Sequence, residues 1–281
     1  MILKDNFKVI ITDLDGTLLN SNHKISSYTK TVFQELHRLN FIIIVATGRH
    51  HLDAKPLVSG LDVPLYLVTS NGARIHYPEN ELIFSFDMES DTVKSILSLE
   101  IDDEITTVLF KENVWQTNKN NEKLNEFQPE VNYHPELVDF KTLVDFSAIK
   151  VFFTHHDHQK LLVLRNQILE KHAGTFNHAF SLPFCLEFMD KEVDKSYAIA
   201  KILEIEKTTF EQSVSFGDGF NDEKMLKATG KSLIMANAPH SLKNQLPHLE
   251  IILSNNEDGV AKYLSENIIL KCKKLNQKTT N

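Results

Sequence analysis

Lys8–Leu19 reads KVIITDLDGTLL, an apolar run that ends in two aspartates one residue apart. Val9, Ile10 and Ile11 are β-branched and uninterrupted by polar residues, which predicts a strand buried on both faces, as in a parallel sheet. Asp13 and Asp15 then fall where that strand surfaces. Open α/β sheets bind ligands at the carboxyl ends of their strands, and Gly16 lets the chain turn there with no side chain in the way. Period-two alternation would direct both carboxylates at one centre if the strand continued. Like charges that close repel unless a cation intervenes, and an all-oxygen set calls for a hard ion such as Mg²⁺. On these residues alone two other readings stand open: acids that cap a strand by bonding nearby amides, and the metal motif of a sugar-nucleotide transferase.

Downstream the same rhythm repeats. Ser26 is placed to cap a helix whose apolar residues Tyr28, Val32, Phe33, Leu36 and Leu39 keep helical spacing. Phe41–Ala46, FIIIVA, is a second buried strand ending in Thr47-Gly48-Arg49, where a hydroxyl and an amide could hold a phosphate oxygen or simply form a turn. Pro56 predicts that any helix here starts late or kinks. Leu65–Val68 is a third strand, ending in Ser70-Asn71-Gly72, and a hairpin follows with its turn at Pro78-Glu79-Asn80. From Met88 the texture becomes mixed α and β up to the CLEFM run before Asp190, with the polar stretch Asn118–Phe146 unassigned; this predicts an inserted α+β module. The α/β rhythm resumes with a helix over Ser196–Glu204, the strand Val214–Phe216, GDGFND at Gly217–Asp222, and strands before Asn237-Ala238-Pro239 and Asn255-Asn256. Asp13 with Asp15, Thr47, Asn71, and Asp218 with Asp222 thus all end strands of one sheet, and right-handed crossovers bring those ends to a common edge. The expected fold is a Rossmann-like doubly wound parallel sheet (1–85 plus 190–270) carrying an inserted α+β cap (86–189), with a polar, frayed tail over 271–281.

The chain has 281 residues, 42% hydrophobic and 24% charged, which suits a globular protein of one large or two moderate domains. A net charge of −8 argues against nucleic acid as a partner. Cys185 and Cys272 lie far apart and outside any C-x-x-C, so neither a disulfide framework nor a zinc site is expected. Charges interrupt the first ten residues, and no apolar run approaches the ~20 residues that span a bilayer, so no membrane association and a cytoplasmic location are expected. The histidine groups His50-His51 and His155-His156-x-His158 follow strand ends and are read as structural ahead of metal ligation, and Trp115 and Phe184 as packing ahead of substrate platforms.

DLDGT, TGR, a lysine in the later half and GDGFND, taken in order, resemble the motif series of the haloacid dehalogenase superfamily. TSNGA, MANA and the midchain insertion resemble its Cof-type subfamily. The resemblance implies a Mg²⁺-dependent phosphatase of small phosphorylated metabolites, pyridoxal phosphate or sugar phosphates, acting through an aspartyl phosphate. Asp13 would be the nucleophile and Asp15 the acid and base. Asp13, the Asp15 carbonyl, Asp218 and Asp222 would hold Mg²⁺, and Thr47, Gly48, Arg49, Asn71, Lys195 and Asn221 would hold or orient the phosphate. Asn221 has a second reading as a helix cap, and Lys195 as a solvated residue of a helix's first turn. Ser196 stands where the subfamily has glycine. A monomer or weak homodimer is expected, and a phosphomutase, a phosphotransferase or a phosphometabolite sensor are the alternatives.

Overall fold

The computed structural model describes residues 7–77, 81–121 and 135–279. The expected turn Pro78–Asn80 lies outside them, as does much of the polar midchain stretch. Chain contacts divide the protein into two units, one up to Ile83 and again from Asp194, the other Phe84–Val193. In chain order the elements are β1 (Val9–Thr12), α1 (Ser27–Arg38), β2 (Ile42–Ala46), α2 (His51–Val58), β3 (Tyr66–Thr69), β4 (Arg74–His76) and β5 (Leu82–Ser85). The second unit holds α3 (Ser90–Leu97), β6 (Thr106–Phe110), β7 (Trp115–Thr117), β8 (Glu136–Leu137), β9 (Lys150–Thr154), α4 (His158–Lys171), β10 (Phe176–Leu182) and β11 (Cys185–Asp190). The first unit resumes with α5 (Lys195–Ile205), β12 (Ser213–Gly217), α6 (Glu223–Ala228), β13 (Lys231–Met235), α7 (His240–Gln245), β14 (Glu250–Ile252), α8 (Gly259–Leu264) and α9 (Leu270–Thr279).

The first unit's sheet runs β14-β13-β12-β1-β2-β3-β4-β5, parallel from β14 to β3 and antiparallel from β3 to β4. β1 is buried along its whole length because both faces are covered, as its unbroken apolar sequence requires. Ile10, Val45 and Phe216 pack with Phe33 and Leu36 of α1 and Leu264 of α8, while α5 lies against β3 and α6 against β12. Each fully buried side chain of this kind contributes about 1.5–3 kcal/mol. Register then sets the site: Thr12 stands opposite Val45 and Phe216, and Ala46 opposite Val68. The residues just past β1, β2, β3 and β12 therefore emerge at one level of the sheet.

The second unit is a sheet of order β10-β11-β9-β6-β7-β8. Alternation along β6, β9 and β11 sends Leu109, Val151, Phe153, Leu186 and Phe188 into a core with α3 and α4. The other parity carries Val108, Phe110, Trp115, Phe152 and Cys185 as a second cluster. This is the expected α+β character.

Two expectations need correction. Helix α2 begins at His51 and includes Pro56, which falls in its last turn, where few further backbone bonds remain to be lost before the helix ends at Val58. The region after Lys271 is not frayed: α9 extends to Thr279, because Ile268, Ile269 and Cys272 keep an i, i+3/i+4 apolar face against the core and Lys273 pairs with Glu35 at 2.9 Å. No described helix is long and apolar enough to cross a membrane.

Candidate active site

The Asp13 amide donates to the Phe216 carbonyl at 3.0 Å, so the ladder to β12 extends one residue beyond β1 and fixes the Asp13 backbone. Opposite it begins α5. Asp194 caps that helix by accepting the Tyr197 amide at 2.8 Å, which puts Lys195 at the first helical position. Lys195 is 1% exposed, and its Nζ lies 2.5 Å from Asp13 Oδ1 and 2.6 Å from Asp222 Oδ1. The solvated reading of Lys195 is therefore wrong: a residue that opens a helix is here driven inward by two buried anions. Ser196 takes no left-handed backbone, so the glycine it replaces is not needed for conformation. Asp222 is held on its other oxygen by the amides of Asp218 and Gly219 at 3.0 and 2.9 Å.

Burial, with the charge of Asp222, pushes the Asp13 carboxyl well above the usual carboxylate range, and Lys195 opposes that rise. Burial would lower the Lys195 ammonium, but Asp13 and Asp222 outweigh it and hold it above its ordinary value. Burial, against the Thr17 hydroxyl and with the Asp222 charge, pushes Asp218 up to about 6. Carboxylate oxygens of Asp13, Asp218 and Asp222 all lie within 4.8 Å of one another. Two buried acids and a partly buried one beside a single lysine keep an excess of negative charge, and their all-oxygen donor set fits a hard divalent cation.

Asp15 stands apart from this cluster. Both its oxygens accept from Arg49, Nε to Oδ2 and Nη2 to Oδ1, each at 2.7 Å. His23 adds its Nδ1 at 3.2 Å from Arg49 Nη2 and 3.6 Å from Asp15 Oδ1. Arg49, expected on substrate, is thus committed to Asp15 here. The Thr47 hydroxyl accepts the Arg49 amide at 3.1 Å, leaving its own proton to donate. Ser70 and Asn71 both have left-handed φ, 49° and 57°, an unfavourable backbone for such residues. That bend lets their amides reach the Arg49 and Thr47 carbonyls at 2.8 and 3.0 Å and clamp the loop after β2. The Asn71 side chain accepts from Asn221 Nδ2 at 3.0 Å, so Asn221 reaches across the edge instead of capping a helix. Gly48 lies under Asn71: a Cβ there would come within 3.1 Å of its Oδ1.

Sequence reasoning missed Thr17, His23, Asn237 and Asn255, although Thr17 lies inside DLDGT and Asn237 inside MANA. Thr17 donates to Asp218 Oδ1 at 2.7 Å, and Asn237 donates to the Gly16 carbonyl at 2.7 Å and to Asp218 Oδ2 at 3.3 Å. Three of the histidines do local work: His50 caps α2, His155 accepts the Asp157 amide at 2.9 Å, and His158 lies 2.6 Å from the Pro183 carbonyl. Trp115 and Phe184 pack together with Phe110 and Phe152.

A strand-edge aspartate facing a buried lysine, beside further acids able to hold a cation, is an arrangement for phosphoryl transfer. Residues 10–264 match the family described as haloacid dehalogenase-like hydrolase, and the chain belongs to it. Within that family it is a phosphatase of the Cof type. The chain is similar to a Buchnera aphidicola subsp. Baizongia pistaciae protein named "Putative phosphatase", 36% identical over 261 residues, 92% of this chain and 98% of that one. It is similar as well to the HMP-PP phosphatase of Yersinia pseudotuberculosis, 31% identical over 258 residues, 92% of this chain and 94% of that one. In fold it resembles a haloacid dehalogenase-like hydrolase from Bacteroides thetaiotaomicron, with a TM-score of 0.81, 25% identity, and coverage of 92% of this chain and 98% of that one.

Proposed function

We propose that the protein is a Mg²⁺-dependent phosphatase that hydrolyses small phosphorylated metabolites, pyridoxal phosphate or sugar phosphates among them, through an aspartyl phosphate on Asp13. The observation that carries this reading is Lys195, buried and shared between Asp13 and Asp222 at 2.5 and 2.6 Å. A carboxylate is a weak nucleophile toward an anion, and a fixed ammonium beside it offsets the charge that attack brings together. Asp13, Asp218 and the Asp15 carbonyl would hold the Mg²⁺, with Asp222 as a further ligand or an anchor. When bound, that ion supplies charge neutralisation for the phosphate and its three acids.

The remaining work belongs to the chain. Asp13 attacks phosphorus and the ester oxygen leaves, taking a proton from Asp15. Water then attacks the aspartyl phosphate, Asp15 takes its proton, and inorganic phosphate departs with Asp13 restored. Both Asp15 oxygens accept from Arg49, so a proton on Asp15 must take a lone pair that the guanidinium does not hold or displace one of those bonds. A phosphate oxygen is the natural new partner for that guanidinium arm. The third Lys195 proton, the Thr47 hydroxyl, the Gly48 amide and Asn71 face the equatorial oxygens in this scheme.

The test is a panel of pyridoxal phosphate, sugar phosphates and HMP-PP, the last chosen from the Yersinia relative's name, each with and without Mg²⁺. Release of inorganic phosphate supports a phosphatase, and an isomeric phosphate product would identify a mutase instead. D13A should abolish turnover; residual activity comparable to wild type would refute the nucleophile. No turnover on any compound would favour a sensor.

A further inference from the structure

We propose that Asn237 and Thr17 are positioning residues that form a neutral clamp on Asp218, and that this clamp sets the protein's affinity for a divalent cation. The inference rests on the metal reading above and concerns residues that reading gives no role.

The amide of Asn237 is oriented by its neighbours. Its Oδ1 accepts the Asn255 backbone N–H at 3.1 Å, which leaves Nδ2 as the end that meets two acceptors, the Gly16 carbonyl at 2.7 Å and Asp218 Oδ2 at 3.3 Å. A flipped amide would set oxygen against oxygen at both. Asn255 is itself tied to the catalytic loop by donating to the Leu19 carbonyl at 2.8 Å. On the other side Thr17, 2% exposed, donates its hydroxyl to Asp218 Oδ1 at 2.7 Å. Gly16 closes the third side: its φ is +75°, and a Cβ there would stand 2.3 Å from Asp218 Oδ2.

Asp218 and Asp222 are therefore held by different means. Lys195 offsets the charge of Asp222, and two backbone amides take its second oxygen. Asp218 receives two neutral side-chain donors, one per oxygen, which fix the plane of the carboxylate without cancelling its charge. A neutral clamp of this kind suits a ligand that must present charge and direction together, and outer partners of metal ligands typically account for 10–100-fold in affinity.

Binding of Mn²⁺ measured by electron paramagnetic resonance, and of Mg²⁺ by calorimetry, tests this without any substrate. N237A should weaken Mn²⁺ binding by about 10-fold and T17V, whose hydroxyl is buried, by up to about 100-fold. T17S should retain wild-type affinity. N256A is the control, because Asn256 ties the same loop through Ser21, at 2.8 and 2.7 Å, without touching Asp218. Equal affinity in wild type, N237A and T17V would overturn the clamp, as would an equal loss in N256A. Failure of wild type to bind either ion would remove the metal reading itself and the clamp with it, so the two failures are told apart.

Discussion

Replacing Lys195 by methionine keeps most of the side-chain volume and removes one charge from a position that is 1% exposed, between two buried acids. The ammonium lies 2.5 Å from Asp13 and 2.6 Å from Asp222, with Asp218 close enough to share an ion with both. Breaking a buried ion pair by deleting one partner costs about 3–5 kcal/mol, because the other charge is left uncompensated. For a domain of this size that loss corresponds to a fall in Tm on the order of 6–20 °C. The deficit should depend on pH in a fixed direction. Burial and Asp222 already push Asp13 above the usual carboxylate range, and without the lysine that rise is unopposed. A carboxyl raised in the folded state binds more protons there than when unfolded, so stability falls as pH rises from the ordinary carboxylate value through the raised one. K195M should therefore lie closest to wild type in acid and furthest from it at pH 8. Mg²⁺ should restore part of the lost stability at pH 8 by supplying the missing positive charge, while turnover stays at least 10²-fold down. The assay is thermal melting of chelator-treated protein at pH 5 and pH 8, with and without Mg²⁺, alongside phosphate release. A metal-free K195M that melts with wild type at pH 8 would refute the reasoning.

Three further outcomes follow from the same geometry. G16A should lose divalent-ion binding and turnover together, since its Cβ would sit 2.3 Å from Asp218 Oδ2 at a left-handed φ of +75°; an active G16A with normal Mg²⁺ affinity would contradict the placement of Asp218. Burial raises Asp218 to about 6, so metal and proton compete there; calorimetric Mg²⁺ affinity should fall by about 10-fold or more per pH unit below that value, the raised Asp13 carboxyl adding to the loss, and a flat profile from pH 5 to 7 would count against Asp218 as a ligand. R49K should lower kcat by about 10–100-fold, the equivalent of one charge-assisted hydrogen bond at about 1.5–3 kcal/mol, because lysine lacks the planar fork that can hold Asp15 on one arm and a phosphate oxygen on the other; steady-state kinetics with an unchanged kcat would show that Arg49 has no part in turnover.

What the sequence made legible was the part written in local pattern. KVIIT and FIIIVA are apolar without alternation, which separates a sheet covered on both faces from one covered on one face, and register then carried Asp13, Thr47, Asn71 and Asp218 to one edge without further information. The pairings across that edge were not legible. Lys195 meets Asp13 from 182 positions away, and Asn221 meets Asn71 from 150, and neither spacing leaves a periodic trace. Arg49 was assigned to substrate from its place on the edge, yet a bidentate partner in Asp15 holds it. Asn237 escaped notice because an asparagine in a loop is ordinarily turn chemistry; only its three bonds in space set it apart. The tail misled through its lysines: Cys272 continues the apolar face begun by Ile268 and Ile269, too short a repeat to stand out amid charge.

The central claim is that Asp13 carries the phosphoryl group, and chemical trapping examines it most directly. Borohydride reduces an acyl phosphate to an alcohol, so enzyme quenched during turnover and then reduced should contain homoserine at position 13, found by peptide mass spectrometry and absent from substrate-free enzyme. Steady phosphate release with an unmodified aspartate at that position, or with the reduced residue anywhere else in the chain, would contradict the account.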